Sequence, residues 1–163
     1  MLSVLLSFLV GSAVAATPLQ LRAPDGSQVH ANGSVSAGSK KGVVLAHMMG
    51  RDARDWDFLS KRLAGVKLST VAIDLRGHGK SAKAGTELSE GDYKSMVHDL
   101  EAGVDWLRKN GVTEVSCVGA SIGANLCAQL GAKDPNIVNL VLLSPGLNYK
   151  GVTSGDALQN YGD

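Results

Sequence analysis

A serine between two glycines is the part of this sequence best suited to chemistry. Residues 119–123 read GASIG, a Gly-x-Ser-x-Gly pattern in which the glycines leave room for a sharp turn from a strand into a helix. Such a turn holds the central serine in a strained conformation with its hydroxyl exposed. The pattern predicts Ser121 as a catalytic nucleophile, with Gly119 and Gly123 as the glycines of the turn. A flexible glycine loop is the alternative.

The helix expected after Ser121 offers a second chemical group. Backbone N–H groups in the first turn of a helix have no partner within that helix. The N–H of Ile122 can therefore donate to the oxygen that becomes negative when Ser121 attacks a carbonyl carbon. We expect Ile122 to supply one donor of an oxyanion hole.

The elements that must position these groups alternate between strand and helix. Two short runs, residues 19–23 and 28–36, flank a Pro-Asp-Gly-Ser turn and predict an antiparallel hairpin. Continuous apolar runs predict buried parallel strands at residues 43–46, 70–73, 115–118 and 137–143. Apolar residues at helical spacing predict helices from a cap at Asp55 to Gly65, over residues 92–109 and over residues 122–130. Residues 152–163 show no pattern. The fold class is α/β, with a mostly parallel sheet and helices on both faces.

Composition narrows the class of protein. The 163 residues are 44% hydrophobic and 19% charged, as in an ordinary globular domain, which argues against a disordered chain or a repeat array. A formal net charge of +1 leaves no excess of positive charge for nucleic acid or an anionic membrane. The sequence has no His-x-x-x-His pair, close carboxylate cluster or glycine-rich phosphate loop, so we predict no metal and no cofactor.

The first residues have the pattern of an export signal. Residues 2–10 form an apolar block that is too short to span a bilayer, and Ala13-x-Ala15 fits the small-residue rule for signal peptidase. We predict a signal peptide over residues 1–15 and an incomplete α/β domain over residues 16–163, exported to the periplasm or secreted. An uncleaved anchor is the main alternative.

Three motifs in order resemble the α/β-hydrolase family, in its serine esterase and dienelactone-hydrolase-like branch. They are residues 43–50 (VVLAHMMG), residues 74–81 (DLRGHGKS) and the Ser121 turn. The resemblance implies that the chain supplies the first six strands of an eight-stranded sheet. It also implies that the loop after His47 provides the other oxyanion amide, at Met49, although Met48 stands where many relatives have glycine and is the alternative donor. Ser121 disfavours the dehalogenases and epoxide hydrolases, whose nucleophile is an aspartate.

The resemblance also implies which catalytic groups this sequence lacks. The family's order is serine, acid, histidine, whereas all four histidines precede Ser121. The expected activity is hydrolysis of small carboxylic esters or lactones through a Ser121 acyl-enzyme, with the acid and base missing from these residues, so that this chain alone is inactive. The alternative is a non-catalytic fragment that needs a partner chain or associates with itself through an exposed strand edge.

The remaining histidines and cysteines receive structural interpretations. We expect His30 and His98 to be solvated surface residues. The loop positions of His47 and His78 predict side chains that hydrogen-bond and shape the backbone. Cys117 and Cys127 are expected to be buried free thiols, with a disulfide as the alternative after export.

Overall fold

The computed structural model describes residues 15–82, 87–159 and 161. The predicted signal peptide therefore lies outside the described residues, apart from Ala15. Within the described part of the chain, no helix is both long and apolar enough to cross a membrane.

One six-stranded sheet forms the centre of the molecule. Its strands are β1 (Thr17–Arg22), β2 (Gln28–Ser34), β3 (Lys41–Ala46), β4 (Ser69–Ile73), β5 (Glu114–Ala120) and β6 (Ile137–Leu143). Their spatial order is β1-β2-β4-β3-β5-β6. β1 pairs antiparallel with β2, β2 pairs antiparallel with β4, and the remaining neighbours in the sheet pair in parallel. The predicted hairpin, the parallel strands and the fold class are confirmed.

Helices connect the strands. The α-helices are α1 (Asp57–Gly65), α2 (Glu90–Ser95), α3 (Val97–Lys109), α4 (Ile122–Lys133) and α5 (Gly155–Gln159), and 3₁₀ helices cover Ala53–Trp56 and Gly79–Ser81. The segment after β6 also contains a small hairpin of β7 (Asn148–Tyr149) and β8 (Val152–Thr153). The interpretation of residues 152–163 as unpatterned was therefore wrong, because short polar elements carry no periodic signal.

Two helix predictions also need correction. The helix predicted over residues 92–109 is two helices that meet at Met96, and the first begins earlier because Ser89 and Asp92 form a reciprocal capping box. Asp55 is not the cap of α1. Asp52 accepts a hydrogen bond from the Arg54 N–H at 2.9 Å and caps the 3₁₀ helix that contains Asp55.

From Val43 to Ala46, β3 is apolar without interruption because both faces of this strand are covered. In β3, Val44 and Ala46 belong to the larger core, which packs against α3 and α4, while Val43 and Leu45 belong to a smaller core near Trp56 and α1. Successive side chains of a strand point to opposite faces, so a strand with two covered faces needs apolar residues at every position.

The sheet has an apolar edge at β6. This strand pairs only with β5 among the described residues, and Val138, Val141 and Leu143 are nearly half exposed. An unpaired apolar strand edge is a site where another strand can add.

Candidate active site

Ser121 lies at the turn between β5 and α4 with a strained backbone. Its φ is 54° and its ψ is −119°, values that L-residues rarely adopt. Its N–H donates to the carbonyl of Leu143 at 2.9 Å, and its own carbonyl accepts from the N–H of Ala124 at 2.9 Å. The side chain is half-buried. The surrounding backbone therefore holds Ser121 in the conformation that the glycine pattern predicts.

Gly119 and Gly123 lie so close to neighbouring backbone that neither position has room for a side chain. A Cβ on Gly119 would overlap the backbone of Gly123, and a Cβ on Gly123 would overlap the carbonyl of Ala46 and lie 2.7 Å from that of His47. These contacts are with backbone atoms, which cannot rotate away. The start of α4 is therefore pressed against the end of β3, directly beside the loop that follows His47.

His47 organises that loop by two hydrogen bonds. Its Nδ1 lies 2.7 Å from the carbonyl of Met48, and its Nε2 accepts from the N–H of Leu75 at 3.1 Å. Since Nε2 acts as an acceptor and Nδ1 faces a carbonyl, the ring is neutral with its proton on Nδ1. Burial lowers the pKa of His47, which favours the same neutral form. The interpretation of His47 as a loop-shaping residue agrees with these contacts.

The predicted oxyanion donors border this loop and the start of α4. Met49 is half-buried and packs against the core, Ile122 is fully buried, and Met48 is 45% exposed. Among the described residues, neither the Met49 N–H nor the Ile122 N–H has a backbone acceptor outside regular elements. Neither amide is therefore engaged in such a bond.

No imidazole hydrogen-bonds to Ser121 within residues 15–82, 87–159 and 161. The Nδ1 of His78 lies 3.1 Å from the carbonyl of Arg76, as expected for a loop-shaping residue. His98 lies 2.7 Å from Glu101 and is half-buried, so it is less solvated than expected. Neither of these contacts involves Ser121.

His30 is not the surface residue that its place in a hairpin suggested. It is 8% exposed, and its Nδ1 lies 3.0 Å from Oδ2 of Asp74. The prediction was wrong because β2 is an inner strand that pairs with β4, which covers His30 and brings it to the loop after that strand. A hairpin in the sequence does not show which of its two strands pairs with the rest of the sheet and which lies at the edge.

Arg76 joins two carboxylates that the sequence analysis did not connect. Its guanidinium contacts Asp99 at 2.6 Å and Asp25 at 2.7 Å. Burial raises the pKa of Asp99 despite these contacts. Burial also opposes ionisation of Asp25, but the hydrogen bonds from Arg76 and Ser27 together outweigh it and lower the pKa to about 2. This group fastens the turn between β1 and β2 to α3.

Cys117 and Cys127 form a disulfide between β5 and α4. The expectation of free thiols was wrong because strand and helix pack directly against each other on either side of the Ser121 turn, which brings the two Cα atoms to 5.6 Å. Both cysteines are fully buried. The bond therefore closes a short loop that contains the nucleophile.

Asn125 is a further residue that the sequence analysis missed. It is fully buried on α4, donates to the carbonyls of Gly146 and Val152 at 2.8 Å each, and accepts from the N–H of Gly146 at 3.1 Å. These bonds hold the segment after β6 against the helix that starts at Ser121. An isolated asparagine in an apolar helix pattern is the only signal that could have drawn attention to it.

No group of three or more His, Cys, Asp or Glu side chains in the described part of the chain could hold a metal ion. The groups present at the Ser121 turn are a hydroxyl and the neighbouring backbone amides.

Comparison with known proteins places this geometry in a family. A family model described as serine aminopeptidase, S33, matches residues 37–159. An uncharacterized protein of Mycobacterium tuberculosis is 31% identical over 68% of this chain, and the ethanol acetyltransferase 1 of Wickerhamomyces anomalus is 26% identical over 66%. These matches cover 30% and 26% of the two relatives, so the chain spans less than a third of their length.

Solved structures show the same fold. An esterase of Pyrococcus furiosus superposes with a TM-score of 0.71 and 23% identity, over 82% of this chain and 53% of its own. An α/β hydrolase of Novosphingobium aromaticivorans superposes with a TM-score of 0.64 and 27% identity, over 79% and 44%. In each case the described sheet corresponds to part of a longer domain.

Proposed function

This chain belongs to the α/β-hydrolase family described as serine aminopeptidase, S33, and we propose that it carries the nucleophile part of an exported serine hydrolase that cleaves small carboxylic esters or lactones. The observation that carries this proposal is the strained backbone conformation of Ser121. Such a conformation costs roughly 1–3 kcal/mol of free energy, and the hydrogen bonds of the surrounding backbone maintain it. Strain of this kind concentrates at functional sites. At a serine without a function, the same strain would only lower the stability of the fold.

In the proposed reaction, the Oγ of Ser121 attacks the carbonyl carbon of the ester or lactone. A base takes the hydroxyl proton, and the carbonyl oxygen becomes an oxyanion that accepts hydrogen bonds from the Met49 and Ile122 amides. The tetrahedral intermediate then expels the alcohol, which receives the proton, and leaves an acyl ester on Ser121. Water attacks that ester in the second half-reaction, releasing the acid and restoring the hydroxyl.

The acid and base are assigned to residues outside this sequence. His30 lies on β2, three strands from β5, which at about 4.8 Å per strand is roughly 14 Å away. His47, whose two ring nitrogens contact backbone groups, has no free lone pair to act as a base. The proposal therefore requires a carboxylate and a histidine from residues other than the 163 of this sequence.

The disulfide supports the proposed export. Disulfides form and persist in oxidising compartments and are rare in the cytosol, and the buried Cys117–Cys127 bond is consistent with passage through such a compartment. The predicted signal over residues 1–15 agrees with that location. Edman sequencing of the mature protein tests it: a first residue of Ala16 supports cleavage, whereas a start at Met1 contradicts it.

The proposed activity is tested on the complete gene product. Sequencing past the codon for Asp163 should reveal an Asp or Glu followed by a His, and a longer reading frame without both contradicts the proposal. The expressed protein is then assayed with p-nitrophenyl butyrate, a δ-lactone and an aminoacyl p-nitroanilide. We expect turnover of the first two, lowered at least about a thousandfold by Ser121→Ala and unchanged by the control Ser95→Ala. Cleavage of the anilide alone would favour a peptidase instead.

A second candidate is a non-catalytic chain that pairs with another chain. The exposed apolar side chains of β6 favour it, together with the lack of an imidazole beside Ser121 in the described residues. On this proposal the 163-residue chain has only background esterase activity and self-associates. Sedimentation velocity should show a dimer or larger species that Val141→Lys disperses. A monomeric wild-type chain with esterase activity contradicts it.

A further inference from the structure

The turn after β6 contains a second strained serine. Ser144 has a φ of 51°, in the left-handed region that residues other than glycine rarely adopt. It also precedes Pro145, and the residue before a proline prefers an extended backbone with a φ of about −120°. The local sequence therefore disfavours the conformation of Ser144, so contacts with other parts of the fold must impose it.

The conformation of Ser144 controls a hydrogen bond of the nucleophile turn. The carbonyl of Leu143 accepts from the N–H of Ser121 at 2.9 Å. That carbonyl belongs to the planar peptide group that joins Leu143 to Ser144, so its direction depends on rotation about the N–Cα bond of Ser144. If the chain after Ser144 is held in place, a change of this φ from 51° to a negative value turns the carbonyl away from Ser121.

Asn125 holds the chain after Ser144 in place. It is fully buried on α4, four residues and about one helical turn after Ser121. Its Nδ2 donates to the carbonyl of Gly146 at 2.8 Å, and its Oδ1 accepts from the N–H of Gly146 at 3.1 Å. The Oγ of Ser154 donates to the same carbonyl at 2.8 Å. Both backbone groups of Gly146 are therefore bonded to one side chain of α4.

The segment from Leu143 to Gly146 is thus attached to the start of α4 at both of its ends. We propose that Asn125 is a positioning residue for Ser121: by fixing Gly146 it keeps Ser144 at a positive φ and the Leu143 carbonyl directed at the Ser121 N–H. The effect on the Ser121 backbone is independent of the proposed function, whereas any effect on catalysis rests on it.

A purely structural role for Asn125 makes a different prediction. Its Nδ2 also donates to the carbonyl of Val152 at 2.8 Å and so ties β8 to α4. If this tie were the whole role of the side chain, its loss would lower the stability of the fold as a whole. The bond between Ser121 and Leu143 would then open no more readily than other backbone bonds of the core.

Amide hydrogen exchange of the 163-residue chain, followed by NMR, separates the two roles. The Ser121 N–H reports on its bond to Leu143, and the Leu45 N–H reports on the whole fold, because β3 is paired on both sides. In Asn125→Ala we expect exchange at Ser121 to accelerate at least about tenfold more than exchange at Leu45. Equal acceleration of the two amides, or none at Ser121, would overturn the proposal.

A milder variant covers the case in which Asn125→Ala does not fold. Ser154→Ala removes the other donor to the Gly146 carbonyl and leaves the bonds of Asn125 in place. The same comparison then applies, with an expected excess acceleration at Ser121 of at least about threefold. An excess below this value in a folded Ser154→Ala chain would contradict the proposal.

Ser144→Gly provides a rescue that a purely structural role does not predict. Glycine adopts a positive φ at little cost, so adding Ser144→Gly to Asn125→Ala should return the excess exchange at Ser121 at least halfway to the wild-type value. Lys67→Gly is the matched control, because Lys67 has a φ of 62° before the amino end of β4, whereas Ser121 follows the carboxyl end of β5. It relieves the same kind of strain and should rescue nothing. No rescue by Ser144→Gly, or equal rescue by both, would count against the proposal.

Kinetics of the complete gene product test the consequence for catalysis. With p-nitrophenyl butyrate, Asn125→Ala should lower kcat at least about tenfold and leave KM within about twofold, because the nucleophile is misplaced while the substrate contacts remain. A raised KM with an unchanged kcat would show that Asn125 acts on substrate binding and would overturn the proposal. A wild-type enzyme without turnover would contradict the proposed function alone, since the exchange comparison needs no substrate.

Discussion

The backbone N–H of Leu75 donates to Nε2 of His47, which joins the ends of the two neighbouring strands β3 and β4. The other nitrogen of the same ring contacts the carbonyl of Met48. One neutral imidazole therefore sets the direction of the peptide that precedes Met49, the proposed oxyanion donor. The carboxyl edge of the sheet depends on the protonation state of this buried ring.

Stability should consequently fall as the pH drops. Burial lowers the pKa of His47 below its ordinary value of 6.5, so the unfolded chain binds a proton more readily than the folded one. The stabilisation is complete above pH 6.5 and is lost as the pH falls below it towards the folded-state pKa. Urea unfolding between pH 7.5 and 5 should show this slope, and His47→Gln should reduce it while costing about 1–3 kcal/mol.

The control for this experiment is His98→Gln, which replaces a half-buried histidine on α3. It should keep most of the wild-type slope. An equal loss of slope in both variants would contradict the assignment to His47.

The turn at Ser121 makes a second prediction about its glycines. Gly123→Ala should lower the free energy of unfolding by about 3 kcal/mol or prevent folding, because the new methyl group meets the backbone of Ala46 and His47. Gly65→Ala is the matched control, since nothing lies within 4 Å of its Cβ position at the end of α1. It should be neutral or stabilising by up to about 1 kcal/mol. Chemical denaturation of both variants is the measurement, and similar midpoints would count against the close packing of α4 on β3.

The features that follow from local chemistry were predictable from the sequence. The glycines around Ser121 indicated a turn whose strained φ the structure has, and the strand at residues 137–143 has the predicted bounds. The unbroken apolar run of β3 indicated that both faces of this strand are buried. In each case the residues that determine the feature lie next to one another in the chain.

The features that depend on distant contacts were not predictable. His30 is buried because β4, about 40 residues later, pairs with its strand. The Cys117–Cys127 bond needs the turn at Ser121 to bring strand and helix together. The break at Met96 interrupts no apolar periodicity, since Met96 and Val97 are both buried, so the pattern alone reads as one helix.

The contact between Arg76 and Asp25 predicts that the free energy of unfolding falls at acid pH as Asp25 becomes protonated. Burial opposes ionisation of Asp25, but the hydrogen bonds from Arg76 and Ser27 together lower its pKa to about 2. Its stabilisation is therefore present above the ordinary value of 3.8 and is lost as the pH falls through 2. Asp25→Asn should flatten the pH dependence of unfolding between about pH 4 and 2, measured by urea titration. Asp105→Asn, on the exposed side of α3, should leave that dependence as in the wild type, and a flattening in both would show that Asp25 is not its source.

The disulfide makes a prediction about thiol content and stability. Ellman's reagent should detect no free thiol in the chain denatured without reductant and two after reduction, because Cys117 and Cys127 are bonded to each other. Closing a loop between residues 10 apart in sequence stabilises the folded state by about 3 kcal/mol in the chain-entropy model. The double variant Cys117→Ala with Cys127→Ala should therefore unfold at a lower urea concentration than the oxidised wild type. Reduced wild type is the matched control and should approach the variant, since it lacks the same cross-link while keeping both sulfur atoms. Two thiols in the denatured, unreduced chain, or equal stability of the oxidised and reduced forms, would contradict a cross-link that holds the two sides of the Ser121 turn together.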